Sequence, residues 1–422
     1  MDALSPRQQP EAGLRRGADH IAPDAAGQNF YAIDRGLRDL LAHYLAPADF
    51  QNLEPHFDRL GALAGGRLDE LARLADKHAP VLHPRDRFGR DADWIDYHSS
   101  YREMEQIAFG EFQFHAMSHR AGTIETNARL EDGEWRLFGD KWFCSHADAD
   151  VALLLARPEG APDGTKGLAL FAMPRRLKDG RRNAYRIVRL KDKLGTRSMA
   201  SGEILLEGAV AYLVGEASQG LKQMMEQVNL SRLSHGVRAA AMMRRCVNEA
   251  MTVARTRQAF GHTIIDYPLL RRQLLKITLP AEQSLSMFLF AASAMDRANA
   301  GDKDAASLLR ILTPLLKFRA CRDNIPVATG AMEVRGGNGY IEEWVHARLV
   351  RDAHIGVLWE GTSNINALDI ITRAVGKSRA HTALQAALAE LLDQAASIPF
   401  AFSDRLRQAL DRAAAFADRV AA

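Results

Sequence analysis

The chain of 422 residues reads as a multidomain α+β protein: a partial N-terminal helical domain, a small middle β domain and a C-terminal α-helical bundle. Three observations predict this. Residues 31–50 and 66–79 place apolar side chains at helical spacing, as in Leu37, Leu40, Leu41 and Tyr44. From about residue 123 the pattern changes to short alternating runs of strand length. From about Gln219 it turns helical again and stays so.

Taken in order, the segment before about residue 30 is rich in Pro, Gln and Gly and reads as loose. It carries Asp2, Glu11, Asp19 and Asp24 and lacks an apolar h-region, so neither a secretory nor a transit signal is expected and cytoplasm is the default. Residues 80–94 read as a loop and 95–118 as a helix. Ile124, Thr126 and Ala128 lead into a turn at Glu131, Asp132 and Gly133, and Trp135, Leu137 and Phe138 lead out of it. Residues 151–154, 167–173, 185–190 and 203–207 are further strands, the last two separated by the polar loop 191–201. One long helix starts around Met224, Met225 and Val228 and ends near Gly261. Others cover 268–300 and 303–329, where Pro314 predicts a kink, and continue from Asn364 onward. The methionine pairs 224–225 and 242–243 read as bundle core. The expected domains are 1–122, 123–216 and 217–378, with a helical tail over 379–422.

Composition excludes several functions. A net charge of +3 is too small to argue for a nucleic-acid partner. No apolar run approaches the length of a membrane span. Cys144, Cys246 and Cys321 show no CxxC spacing, which argues for a reducing compartment and against a metal or disulfide framework.

The chemistry is concentrated in residues 351–364. There Glu360 follows Leu358 and Trp359 and precedes Gly361, Thr362, Ser363 and Asn364, a run that reads as a turn feeding a helix. A carboxylate walled by aliphatic and indole surface loses hydration, which raises its pKa and makes it a base near neutrality. The same residues also fit a surface glutamate capping a helix. Upstream, Gly336-Gly337-Asn338-Gly339 lets backbone approach a bulky ligand, or serves as a simple interhelical loop. Earlier still, Arg257 and Phe260 could grip a pyrophosphate and pack beside a ring.

In this order the three blocks resemble the C-terminal half of the acyl-CoA dehydrogenase family, which shows R-x-x-F-G, then Q/E-x-x-G-G-x-G-[YF], then R-D followed by [YW]-E-G-T. The resemblance implies an FAD-dependent oxidoreductase acting on an acyl-CoA thioester, with Glu360 as base. Gly139-Asp140-Lys141-Trp142-Phe143-Cys144-Ser145 is similar to the family strand that lies against the flavin, which places Phe143 and Ser145 on the ring. An amphipathic strand packing its own core would look the same. The resemblance puts Arg257, Phe260, Glu333, Gly336, Gly337, Trp359, Thr362 and Asn364 at the cofactor and Arg232 on the helix lining the acyl pocket, though a surface arginine also fits position 232. Ser231 stands where some branches place the base and cannot serve as one. The resemblance further implies an electron-transfer flavoprotein as acceptor and a homo-oligomer, a dimer or tetramer sharing the flavin.

Arg189 to Gly195, Met242 to Arg245 and Ala331 to Val334 are similar to the adaptive-response (AidB-like) branch, with Glu333 in place of a common glutamine and Pro268 in place of another. Two departures stand out. The family's M-T-E-x-x-G-G-S-D loop, which wraps the flavin pyrimidine, is missing, and Gly122 runs straight into Thr123 as though across an internal deletion. Losing several hydrogen bonds at about 1 kcal/mol each would weaken flavin affinity by orders of magnitude. The branch's C-terminal region associated with DNA binding is also cut short at Ala422. The alternative reading is a non-catalytic, DNA-associated alkylation-damage-response protein of the same fold. It draws on the arginine pairs 175–176, 181–182, 244–245 and 271–272, though such pairs are usually solvated surface.

Overall fold

Helix-forming sequence from both ends of the chain builds one unit, and the strand-rich middle builds the other. The computed structural model describes residues 22–85, 91–112, 118–120, 126–395 and 397–421. One unit takes residues up to Gly66 and from Asn229 onward; the other takes 67–228.

The first unit begins with α1 (Arg35–Tyr44) and α2 (Pro47–Gly65). Asp34 caps α1 by accepting from the Leu37 amide at 3.0 Å, and Pro47 opens α2, where its missing N–H costs nothing. The stretch before α1, expected to be loose up to about residue 30, is anchored from residue 22. Ala25 is fully buried and its amide donates to Glu249 at 3.2 Å, while Arg335 donates to the carbonyls of Ala22 and Pro23. Asp34 pairs with Arg244, which also pairs with Glu282. A side chain at Gly65 would collide with the Gln28 carbonyl, so the strap lies directly on α2.

The second unit holds α3 (Arg67–Lys77), a ribbon of β1 (Val81–Arg85) and β2 (Asp91–Asp96), and α4 (Ser99–Phe112). The expected loop over 80–94 is thus an antiparallel pair, with Val81 opposite Asp96 and His83 opposite Trp94. Pro84 lies within β1, where a two-stranded ribbon, being all edge, tolerates proline. His83 stacks on Trp94 at 4.4 Å and Ile95 is buried beneath. Of the helix expected over 95–118, α4 covers Ser99–Phe112, residues 113–117 lie outside the described residues, and Ser118–Arg120 is a strand, β3. The junction at Gly122 and Thr123, with Ile124, lies outside the described residues.

The turn at Asp132 and Gly133 joins β4 (Thr126–Glu131) to β5 (Glu134–Cys144), and both residues have positive φ. Then come β6 (Val151–Pro158), β7 (Ala169–Pro174), β8 (Tyr185–Leu190) and β9 (Gly202–Val214). The pairings run β3-β6-β4-β5-β9-β7, with β8 on β9, and β6 also pairs β7, so five of the strands close into a ring. Alternation buries Leu137, Leu154, Phe171, Ile204 and Leu206.

From α5 (Gly220–Thr256) onward the chain is helical apart from two-residue strands β10 (Gln258–Ala259) and β11 (His262–Thr263). The long helices are α6 (Pro268–Asn299) and α7 (Lys303–Arg335), followed by α8 (Val345–Ile355), α9 (Ser363–Asp369), a π-helical turn over 370–375, α10 (Ala380–Gln394) and α11 (Phe400–Ala421). Pro314 sits inside α7, which stays helical past both it and Pro326 to Arg335. Met243 is wholly buried with Cys246, Ala250, Leu312 and Leu316 in the bundle core, as expected of the 242–243 pair, whereas Met224, expected there too, is buried instead with Leu155, Leu170 and Val228 in the strand-rich unit. None of the described helices is long and apolar enough to cross a membrane.

Candidate active site

Small residues bring three segments of the helical unit together around Glu360. A Cβ at Gly236 of α5 would meet Leu316 of α7 at 2.5 Å, so these helices touch backbone to side chain there. One at Gly356, after α8, would meet Cys321 of α7 at 3.2 Å. The turn after α8 is consequently wedged against α5 and α7.

Within that turn Glu360 has φ +53° and Gly361 φ +96°. Glycine accepts such a conformation freely, but a glutamate pays about 1–2 kcal/mol for it. Buried donors offset that cost. Arg232 of α5 donates from Nε to the Glu360 carbonyl at 3.0 Å, and Lys317 of α7 donates to the Gly361 carbonyl at 2.6 Å. Asn366 of α9 donates to the Gly361 and Thr362 carbonyls at 2.8 and 2.9 Å. Arg232 in turn donates to Asp369 at 3.2 Å, and Asp369 also receives Arg310 at 2.9 Å. Lys317 is 1% exposed and Asn366 is completely buried.

The electrostatics follow from this burial. Desolvation holds the Arg232 pKa below the ordinary arginine value, with Asp369 and then Glu360 pulling it back up. Burial likewise pushes the Lys317 pKa down, opposed by Cys321 and Glu360 and reinforced by Arg232 and Arg238. The Cys321 thiol is pushed up by burial.

The apolar wall expected behind Glu360 is only partly present. Trp359 packs against His235 at 5.3 Å between centroids, but Leu358 is 57% exposed. Cations stand where hydrocarbon was expected. The turn-into-helix reading of residues 361–364 matches α9, which begins at Ser363 with Thr362 before it and Asn364 exposed on its first turn.

The remaining expected site residues fall into two further groups. Arg257 reaches the Gly336 turn, donating to the Arg335 carbonyl at 3.4 Å, and Gly336 has φ +75°. Glu333 accepts from Gln273 at 3.0 Å, Gly337 has open space where a side chain would be, and Phe260 is 95% exposed on the β10–β11 turn. In the strand unit, Phe143 is 67% exposed at the end of β5 and Ser145 is exposed just beyond it. There the Lys191 ammonium sits 3.2 Å from the Trp142 ring centroid and 5.1 Å from that of Phe143.

The sequence pointed to Glu360 and Arg232 but not to Lys317, Asp369, Arg310 or Asn366. A lysine inside the run Leu315-Leu316-Lys317-Phe318 was a usable signal, because a charge amid apolar helix residues must be paired if buried. Four of the paired arginines are spent on largely buried partners or in partly buried pairs, Arg175 on Asp148, Arg182 on Asp93, Arg244 on Asp34 and Glu282 and Arg245 on Glu249, whereas Arg181 on Asp179 and Arg271 on Asp266 form exposed surface pairs.

Three family models match the chain: the acyl-CoA dehydrogenase C-terminal domain over residues 218–376, the adaptive response protein AidB N-terminal domain over 21–131, and the acyl-CoA dehydrogenase middle domain over 116–209. The chain is 39% identical over 267 residues to the Escherichia coli (strain K12) protein named "Putative acyl-CoA dehydrogenase AidB", covering 63% of this chain and 46% of that one. It is 35% identical over 264 residues to acyl-CoA dehydrogenase family member 11 of Caenorhabditis elegans, covering 61% and 43%. The chain spans about half the length of the curated relatives it matches. The solved structure of Caenorhabditis elegans ACDH-11 in complex with C11-CoA superposes with a TM-score of 0.84 at 24% identity, over 89% of this chain and 78% of that one. That likeness shows the fold.

Because Lys317 is less basic when folded, the unfolded chain binds more protons between its folded pKa and its ordinary value near 10.5, so stability rises with pH across that interval. Urea denaturation at pH 7 and pH 10 should show wild type gaining stability relative to Lys317→Met. A gap that does not change with pH would contradict this electrostatic account.

Proposed function

We propose that this chain, which belongs to the acyl-CoA dehydrogenase family, is an FAD-dependent acyl-CoA dehydrogenase-type oxidoreductase with Glu360 as its base. The observation that carries the reading is the turn itself. Its one carboxylate-bearing residue is held in a costly left-handed conformation by buried donors to its own carbonyl and the next one. Strain stabilised in this way marks functional sites more often than plain caps.

The residues available fit a flavin nucleotide. Arg257 beside the positive-φ Gly336, the open Gly337 and the exposed Phe260 would take the pyrophosphate and adenosine end. Phe143 and Ser145 offer an exposed ring and hydroxyl for the isoalloxazine. When bound, FAD would supply the acceptor for the hydride that leaves the β-carbon. The chain's own part is to take the α-proton on the Glu360 carboxylate and to stabilise the developing charge on the thioester oxygen, for which the Glu360 amide is the proposed donor. Arg232 and Lys317 keep that carboxylate in place without themselves taking a proton. Electrons would pass to an electron-transfer flavoprotein.

Glu360→Gln should abolish acyl-CoA-dependent flavin bleaching, a loss of at least about 10²-fold, while flavin content stays nearly unchanged. Wild-type bleaching in that variant would sink the assignment.

The absent M-T-E-x-x-G-G-S-D loop leaves the pyrimidine end of the flavin with fewer donors, so weak FAD binding and low turnover are expected. Titrating apo-protein with FAD, with light scattering on the loaded sample, should give weak affinity and at least a dimer. Tight FAD retention with brisk turnover would mean that another segment replaces the loop, and a fully loaded monomer would exclude a shared cofactor.

A further inference from the structure

Three cations crowd the turn that carries Glu360, and the donors of two of them are accounted for. Arg232 is engaged by Glu360, Asn229 and Asp369, and Lys317 by Gly361. Arg238 is not. It lies on α5 six residues after Arg232 and three after His235, and its guanidinium carbon stands 5.7 Å from the Trp359 ring centroid. Trp359 is the residue immediately before Glu360. The Nη1 of Arg238 meets only the Met242 sulfur at 3.6 Å, a weak acceptor, and its Nε and Nη2 are buried with no hydrogen-bond partner among the described residues. Asp352 acts on it electrostatically, but no described carboxylate forms an ion pair with it.

A buried guanidinium with unspent donors is unfavourable unless ordered water or a ligand supplies the acceptors, and an anionic ligand group supplies them best. The planar fork of Nε and Nη2 matches the two oxygens of a carboxylate. Lys317 adds positive potential close by, and a simple alkyl group placed here would leave those donors unsatisfied. Resting on the function proposed above, we infer that Arg238 selects an acyl chain ending in a carboxylate, so that the preferred substrate class is the CoA monothioester of a dicarboxylic acid.

The test uses the FAD-loaded protein and two unreactive thioethers of equal length, S-pentyl-CoA and S-(4-carboxybutyl)-CoA, titrated calorimetrically. Wild type should bind the carboxylate form at least about tenfold more tightly. Arg238→Met should lose that preference and keep its affinity for S-pentyl-CoA, while Arg238→Lys, which preserves charge but not the fork, should keep part of it. Preference for S-pentyl-CoA in wild type, equal affinities, or a preference that survives in Arg238→Met would overturn this inference and leave the proposed function standing. If Arg238→Met does not fold, the wild-type preference and its reduction in Arg238→Lys decide the matter. Failure of wild type to bind either thioether would overturn both readings.

Discussion

Two adjacent backbone carbonyls, those of Glu360 and Gly361, accept from the buried cations Arg232 and Lys317, and the candidate site depends on that pair of contacts. The cations come from different helices, α5 and α7, so together they fix the turn with respect to both. Each is costly to bury, and the cost is met differently. Arg232 has Asp369 as counter-ion, itself shared with Arg310, whereas Lys317 relies on the Gly361 carbonyl and on nearby Cys321 and Glu360. Removing one partner of the buried Arg232–Asp369 pair typically costs about 3–5 kcal/mol, because an uncompensated charge stays behind. The turn is therefore a rigid feature even though it lacks regular structure.

Much of the fold was legible because periodicity reports it directly. The change from helical to alternating spacing near residue 123 and back near Gln219 corresponds to β4 through β9 and to the start of α5. The β1–β2 ribbon was hidden because its strands are short and carry Pro84, which only an edge strand accommodates. The anchored strap over residues 22–34 was hidden for another reason. Its partners Glu249, Arg244 and Arg335 lie more than 200 residues away, and composition alone cannot show a long-range ion pair.

At the site the division is similar. Glu360 stood out because a carboxylate between an indole and a glycine turn is unusual. Of the charged residues around it, Lys317 carries a signal in its apolar neighbours Leu315, Leu316 and Phe318, whereas Arg238 and Asp369 look like ordinary helix-surface residues until the helices pack. The expectation of an apolar wall failed at Leu358, which faces solvent. The environment of Glu360 is set as much by charge as by hydrocarbon, and this is why the account turns on positioning by Arg232 and Lys317 rather than on desolvation alone.

Amide hydrogen exchange over residues 356–366 tests this positioning most directly, comparing wild type with the Arg232→Met and Lys317→Met variants. The account predicts that exchange in this segment accelerates in both variants while the cores of α6 and the β sheet keep their protection. Exchange in the segment that is unchanged in both variants, or that accelerates no more than in the rest of the molecule, would contradict it.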